Sequence, residues 1–345
     1  MSLAFKSRFE IAGRPVGQGA PVLVIAEAGV AHFGDMELAR ALVDLAAEAG
    51  ADVFKTQVFD ADALFAAGAP GADTWRERLR PRNLSLDQFQ ELKARCDAAG
   101  LLFMATAHDE SRLPWLQALE VPAVKIGSGE RNNPGFVRKL AELGKPVVLS
   151  TGMYGTDDVR EALAALAAGG ADRVALLHCV TSYPTPDADV NLAAMDALRT
   201  LFPGPVGYSD HTPDHMALLA AVARGAEVVE KHITILRDVP EAQDWKVSAG
   251  PEDFPALVAD IRRLETLLGH GRKEAAPSEA AGMAWALKSV VAADQLEAGR
   301  ILGPGDLVAK RPGNGVPASR LEEFIGRRLR HTVAADSALS FEDIE

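Results

Sequence analysis

Two short stretches set a histidine just after an apolar run: YSDHT (residues 208–212) and EKHIT (residues 230–234). His211 and His232 therefore sit where strands end. Two imidazoles with an acidic side chain suit a divalent transition metal that keeps open positions. Strand-end histidines that only hydrogen-bond the loops are the other reading. Lys55 in DVFKTQ and Lys125 in AVKIGS lie inside apolar runs. Lysine is almost never buried without a partner. Two such lysines facing one cavity imply an anion, a phosphate or a carboxylate. The turn after Lys125 reads GSGE. Its successive N–H groups, with Ser128 and the lysine, can hold a phosphate; an ordinary glycine turn before a helix is the alternative.

These side chains need elements to carry them. The apolar runs are VLVIAE (22–27), DVFKTQ (52–57), LLFMAT (101–106), AVKIGS (123–128), PVVLST (146–151), VALLHC (174–179), PVGYSD (205–210) and EVVEKH (227–232). Segments of helical period separate them. Residues 36–49 put Leu38, Ala39, Leu42, Val43 and Ala46 on one face, and Gly50 ends the helix. A last helix is expected over 252–268. Eight strand–helix pairs in roughly 250 residues predict an α/β fold, a (β/α)₈ TIM barrel. An open doubly wound sheet would need a glycine-rich fingerprint after its first strand, and AEAGVAHFG is a poor match.

In such a barrel the active site forms at the carboxyl ends of the strands. Polar residues collect there along the chain: Glu27, Lys55 and Gln57, then Thr106 and His108, then Lys125, Ser128 and Glu130. Ser150 and Thr151 follow, then His178, Thr181 and Tyr183, then Ser209 to His211, and last Glu230 and His232. His178 reads as a satisfied core residue and Cys179 as a small core thiol without an activating neighbour.

Composition narrows the class. The 345 residues carry a net charge of −12, which argues against nucleic acid as a partner. No apolar run is long enough to span a bilayer. Cys96 and Cys179 are far apart, and no signal peptide is evident. Both features point to a reducing cytoplasm. The expected organisation is a barrel domain over 1–268, a linker over 269–284 and a small β-rich domain over 285–345. Such a small domain has a marginal core, so it leans on the barrel or on another chain.

Taken together, the motifs AE-G--H (Glu27, His32), FKTQ, VKIGSGE, LSTGM, LLHC with YPTP, YSDHT, EKHIT and RPGNG resemble the sialic acid synthase family. That family comprises N-acetylneuraminate synthases and their relatives in bacterial surface and spore-coat polysaccharide synthesis. The small domain resembles their antifreeze-like SAF domain, a β-clip. The resemblance implies condensation of phosphoenolpyruvate with an open-chain N-acetylated amino sugar and water. It also implies a divalent metal, Mn²⁺ or Mg²⁺, held by His211 and His232. Phosphoenolpyruvate would meet Lys55, Thr106, Lys125, Ser128, Ser150, Thr181 and Ser209. Glu27 would orient water or manage a proton. Gln57, Glu130, Tyr183, Asp244 and Arg311 would face the sugar, with Arg311 supplied by the other subunit of a domain-swapped homodimer.

Some positions depart from the family pattern. Ala31 replaces an amide, His108 an aromatic and Thr181 an asparagine. The loop before Asp244 lacks its usual turn and places Trp245 beside that residue. Two rival classes are a different metal-dependent barrel aldolase or isomerase, and a silent carbohydrate-binding relative. Retention of Lys55, Lys125, His211 and His232 argues against silence.

Overall fold

Residues Arg8–Ile11 (β1) and Arg14–Gly17 (β2) pair antiparallel. Ala12 and Gly13 both take positive φ between them, the backbone that a two-residue hairpin turn demands. The hairpin precedes Pro21, where the expected strand–helix alternation starts, and is not among the expected elements. The structure, a computed structural model, describes residues 5–239, 242 and 244–345.

Eight strands follow: β3 (Leu23–Gly29), β4 (Val53–Val58), β5 (Leu102–Ala107), β6 (Val124–Ile126), β7 (Val147–Ser150), β8 (Val174–Cys179), β9 (Val206–Asp210) and β10 (Val228–His232). They are parallel, and β10 pairs back onto β3, so the sheet closes as the predicted barrel. Each observed strand overlaps its expected apolar run.

The helices form where the period said they would. Helix Met36–Glu48 begins at Asp35, whose carboxylate accepts from the Glu37 N–H. That contact satisfies a first-turn donor. Its buried residues, Ala39, Leu42, Val43, Leu45 and Ala46, pack on the outer face of the sheet. Fully burying Leu42 contributes roughly 2 kcal/mol. Gly50, with φ +76°, turns the chain out of the helix and into β4. A helix over Ala72–Leu79 was not expected, because ADTWRERL has no apolar stripe.

The barrel interior is filled at its lower end. Leu23, Ile25, Val53, Met104, Ala123, Val148, Ala175, Leu177 and Val228 pack together with Phe9, Ile11 and Val16 of the hairpin. The hairpin therefore stoppers the amino-terminal end of the barrel.

The chain divides into two compact units, residues 1–269 and 270–345. The second unit pairs β11 (Ser289–Ala292) with β12 (Leu307–Lys310) antiparallel and has its own core around Val290, Leu302 and Phe324. The stretch read as a linker carries a turn at Pro277–Glu279 and a helix at Ala280–Ala286. No helix among the described residues is long and apolar enough to cross a membrane.

Candidate active site

Alternation along the strands decides what the upper cavity contains. Residues two apart face the same side of a sheet. On β3, Leu23 and Ile25 join the inner cluster while Val24 and Ala26 join the outer one. Glu27 is next in the inner series. The same rule turns Lys55 inward above Val53, Thr106 above Met104, Lys125 above Ala123, and Ser150 above Val148. It also turns Glu230 inward above Val228. Six of the eight strands thus change from apolar to polar partway up the inner face, while β8 continues with Cys179.

These side chains line a cavity of about 160 Å³. Glu27, Lys55, Gln57, Thr106, Lys125, Ser128, Ser150, Thr181, Tyr183, Ser209, His211 and His232 are all brought to it. His108, Cys179 and Glu230 line it as well. A groove of about 1030 Å³ opens elsewhere on the barrel, among the segments that precede its strands. Its charged residues are engaged by their own chain. Arg199 donates to the carbonyls of Arg224 and Gly225, Glu227 accepts from the Val206 N–H, and Glu265 from the Val22 N–H. Volume alone therefore does not mark the site; the concentration of buried ionisable groups does.

Three expected residues stand apart from the cavity wall. Glu130 is partly buried, and its carboxylate accepts from Asn133 Nδ2 at 2.9 Å. Asp244 begins the turn Asp244–Val247, and a Cβ placed on Gly29 would meet its Oδ2 at 3.7 Å, as it would Gln57 Nε2 and Glu27 Oε1 at 3.5 Å. Pro240, Glu241 and Gln243, in the altered loop ahead of it, lie outside the described residues. Arg311 belongs to the second unit, where its Nε donates to the Ala286 carbonyl and its guanidinium lies 4.9 Å from the Trp285 ring centroid.

Two lysines and two carboxylates interlock at the cavity floor. Lys55 Nζ lies 2.7 Å from Glu27 Oε2 and 3.6 Å from Glu230 Oε2. Lys125 Nζ lies 3.9 Å from Glu230 Oε1 and donates to Ser150 Oγ at 2.7 Å. Ser209 Oγ donates to Glu230 Oε1 at 3.1 Å, and Gln57 Nε2 to Glu27 Oε1 at 3.2 Å. A bulge in the β3–β4 register lies just past Glu27, at Gly29 (φ +53°). Bulges of this kind re-aim a side chain at a sheet end.

The two carboxylates are driven in opposite directions. Burial raises Glu27 above the usual carboxylate range, and the Lys55 charge only partly offsets it. Burial also opposes ionisation of Glu230, but Lys125 and Lys55 together overcome it and hold its pKa well below normal. Burial alone would lower Lys55, yet Glu230 and Glu27 keep it raised. Lys125 is lowered by burial despite Glu230. Glu230 thus anchors both ammonium groups. Its strand-end position is expected from the sequence, but its role as an anchor is not. The signal was present in EKH, because Glu230 and His232 share one face of the strand.

On the other side of the cavity the rings of His211 and His232 lie 5.4 Å apart, with Tyr183 4.1 Å from His211. His211 Nδ1 sits 2.7 Å from the Val180 carbonyl. A carbonyl only accepts, so Nδ1 carries the proton and the Nε2 lone pair stays available. Burial lowers the pKa of His211, and that of His232 to about 4. Both rings are therefore neutral near pH 7, the form that binds metals. This donor pair fits a divalent cation that takes its other ligands from water and substrate. Among the described residues there is no cluster of three His, Cys, Asp or Glu for one ion. Cys179 is buried, with its thiol pushed up to about 11, and is no nucleophile. His178 faces outward and bonds the Val190 carbonyl at 2.8 Å, as a core residue does.

On the rim, Ser128 Oγ accepts from the Gly152 N–H at 2.9 Å. A Cβ at Gly152 would meet Thr181 Oγ1 at 2.3 Å and Ser128 Oγ at 2.8 Å. Only glycine lets these two hydroxyls converge.

The NeuB family model matches residues 42–273. The chain belongs to the NeuB family. A SAF domain matches residues 288–345. Among relatives of this NeuB chain, N,N'-diacetyllegionaminic acid synthase of Campylobacter jejuni is 38% identical over 88% of the chain and 95% of the relative. Human N-acetylneuraminate-9-phosphate synthase is 32% identical over 96% of the chain and 95% of the relative. The crystal structure of N-acetylneuraminic acid (sialic acid) synthetase from Leptospira borgpetersenii superposes with a TM-score of 0.74 at 33% identity, covering 80% of this chain and 95% of that one. This NeuB chain is accordingly an enzyme of the sialic-type acid synthase class.

Proposed function

We propose that this enzyme condenses phosphoenolpyruvate with the aldehyde of an open-chain N-acetylated amino sugar, releasing phosphate and a nonulosonic acid for surface polysaccharide. The observation that carries the reading is the paired-lysine floor. Lys55 and Lys125 stand buried in one cavity with two carboxylates whose pKa values are driven apart.

The phosphate and carboxylate of phosphoenolpyruvate meet Lys55 and Lys125. Thr106, Ser128, Ser150, Thr181 and Ser209 surround them with hydroxyls. Lys125 already donates to Ser150 Oγ, which leaves the serine proton free for an anion oxygen. Preorganised donors in a buried site act far more strongly than in water. The methylene carbon of phosphoenolpyruvate, C3, forms the new bond to the aldehyde carbon, and the aldehyde oxygen takes a proton. Water adds its oxygen to C2, the carbon that bears the phosphate, and gives up a proton. The bond from C2 to the phosphate oxygen then breaks, phosphate leaves with the electron pair, and the new hydroxyl loses its proton to leave the ketone. Glu27, raised by burial, is matched to hold or pass a proton at the enol carbon or at the attacking water. Glu230 stays ionised, keeps Lys55 charged and partly offsets the burial of Lys125. His211 and His232 would hold a divalent metal, Mn²⁺ or Mg²⁺, which would supply Lewis-acid polarisation of the aldehyde. Gln57, Tyr183, Glu130 and Asp244 orient the sugar.

Arg311 completes the sugar site from a second copy of the chain in a domain-swapped dimer. The exposure of Trp285 (60%) and Leu287 (55%) beside Arg311 supports a covered surface there. Mixing inactive Arg311→Ala protein with inactive His232→Ala protein restores activity if subunits share sites, and restores none if they do not.

The deciding experiment follows phosphate release by metal-stripped protein given phosphoenolpyruvate and Mn²⁺. N-acetylmannosamine and a 2,4-diacetamido-trideoxyhexose are compared, each with and without EDTA. Release with one sugar, abolished by EDTA and by His232→Ala, is the expected result. No release with either sugar from folded, metal-loaded protein overturns the proposal.

A further inference from the structure

His211 and His232 are each preceded by a residue that faces away from the cavity. Alternation turns Asp210 and Lys231 to the outer side of the barrel wall. Both are buried there, 0% and 1% exposed. They are register partners across β9 and β10, and their charged groups meet at 2.6 Å. Asp210 Oδ1 also accepts from Tyr208 Oη at 3.1 Å and from the Thr212 N–H at 3.0 Å, and Oδ2 from Thr212 Oγ1 at 3.1 Å. Lys231 Nζ donates further to the carbonyls of Thr212 at 2.7 Å and Asp214 at 3.0 Å. All three ammonium protons thus have acceptors.

These bonds converge on one short piece of backbone. Residues 208–214 carry His211, and Lys231 ties that piece to the strand that carries His232. Stability alone does not call for such a pair. Replacing a buried ion pair by uncharged groups of similar volume is often neutral or even stabilising. Geometry does call for it. Two ligands of one cation must be held at a set spacing, and the described residues offer no third ligand that would enforce it.

We propose that Asp210 and Lys231 are positioning residues that set the spacing of His211 and His232, and through it the affinity of the site for a divalent cation. This rests on the reading that those histidines hold the metal. Partners that orient metal ligands from behind are worth about 10- to 100-fold in metal affinity.

The test measures Mn²⁺ binding to metal-free full-length protein by calorimetry and by electron paramagnetic resonance, with no substrate present. Wild type, His211→Ala and the double variant D210N/K231M are compared, each with a thermal melt. The double variant removes both charges together, so neither is left buried alone, and the amide that replaces the carboxylate keeps an acceptor for Tyr208 and Thr212. The expected result is a cooperative melt near that of wild type with Mn²⁺ binding about 10- to 100-fold weaker. Wild-type affinity in the folded double variant overturns the proposal. Should the double variant fail to fold, Thr212→Val replaces it, since it removes only one donor from Asp210. Weaker binding than wild type is then expected, and unchanged binding again overturns the proposal. Failure of the underlying reading looks different: wild type itself would not bind Mn²⁺, or His211→Ala would bind it equally well.

Discussion

Strand β10 carries members of two lysine–carboxylate groups, back to back. Glu230 faces the cavity with Lys55, Lys125 and Glu27, and Lys231 faces the helices with Asp210. All six side chains are buried, yet their partners differ. Outside, one lysine meets one carboxylate and two carbonyls, all within 3.0 Å. Inside, Lys55 has one close partner and a second at 3.6 Å, and Lys125 lies 3.9 Å from its nearest carboxylate. Glu27 is pushed toward its neutral form, Lys55 is held charged by Glu230 and Glu27, and burial lowers Lys125. The outer group is closed. The inner group leaves its lysines loosely paired beside an open cavity, which is what the proposed anion site requires. Active sites commonly retain electrostatic cost of this kind where the rest of a fold has removed it.

That contrast can be broken, beginning with the largest effect. Lys231→Met leaves the Asp210 carboxylate buried and unpaired, and should destabilise the protein by about 3–5 kcal/mol. Urea melts check this, and a loss below ~1 kcal/mol would place the outer pair alongside ordinary surface pairs. Lys55→Met should lower kcat/KM for phosphoenolpyruvate by about 10²–10³-fold. Steady-state phosphate release measures it, and near-normal kinetics would remove the anion reading of the inner group.

The inner carboxylates sharpen the same comparison through pH. Glu230 has a folded pKa held below its ordinary 4.5. Its contribution to stability is present above that value and is lost as the pH falls through the acid range below it. Glu27 has a folded pKa raised above 4.5, so its ionised form costs stability at neutral pH and not in acid. Glu230→Gln should therefore lower the melting temperature at pH 7 and Glu27→Gln should leave it unchanged or raise it. Both differences should shrink below about pH 4.5. Shifts of the same sign at pH 7 would show that the two carboxylates are not distinguished. The smallest effect belongs to His108, a cavity residue whose imidazole burial lowers to about 4. His108→Phe should change KM for the amino sugar by about tenfold or less while KM for phosphoenolpyruvate holds, as expected for one altered contact in a pocket. An equal change in both would place His108 at the anion.

Much of this was legible along the chain. The barrel strands were visible because strands buried on both faces read as short apolar runs, and Lys55 and Lys125 stood out because lysine inside such a run demands a partner. The hairpin at the foot of the barrel was not visible. Phe9, Ile11 and Val16 look like scattered apolar residues until the closed sheet gives them an interior to fill. Helix Ala72–Leu79 was missed for a related reason, since nothing in its own pattern announces it.

The sequence by itself determined the order of the eight barrel strands, the family, and which residue types stand at the strand ends. Period and chemistry are local properties, and a chain states them directly. Only the tertiary structure decided which charges meet. Closing β10 onto β3 brings Glu230 within reach of lysines that lie 175 and 105 positions earlier in the chain. The same closure turns Asp210 and Lys231 away from that cavity toward each other. Coulomb interactions depend on distance in space and on burial, and neither is written in the order of residues.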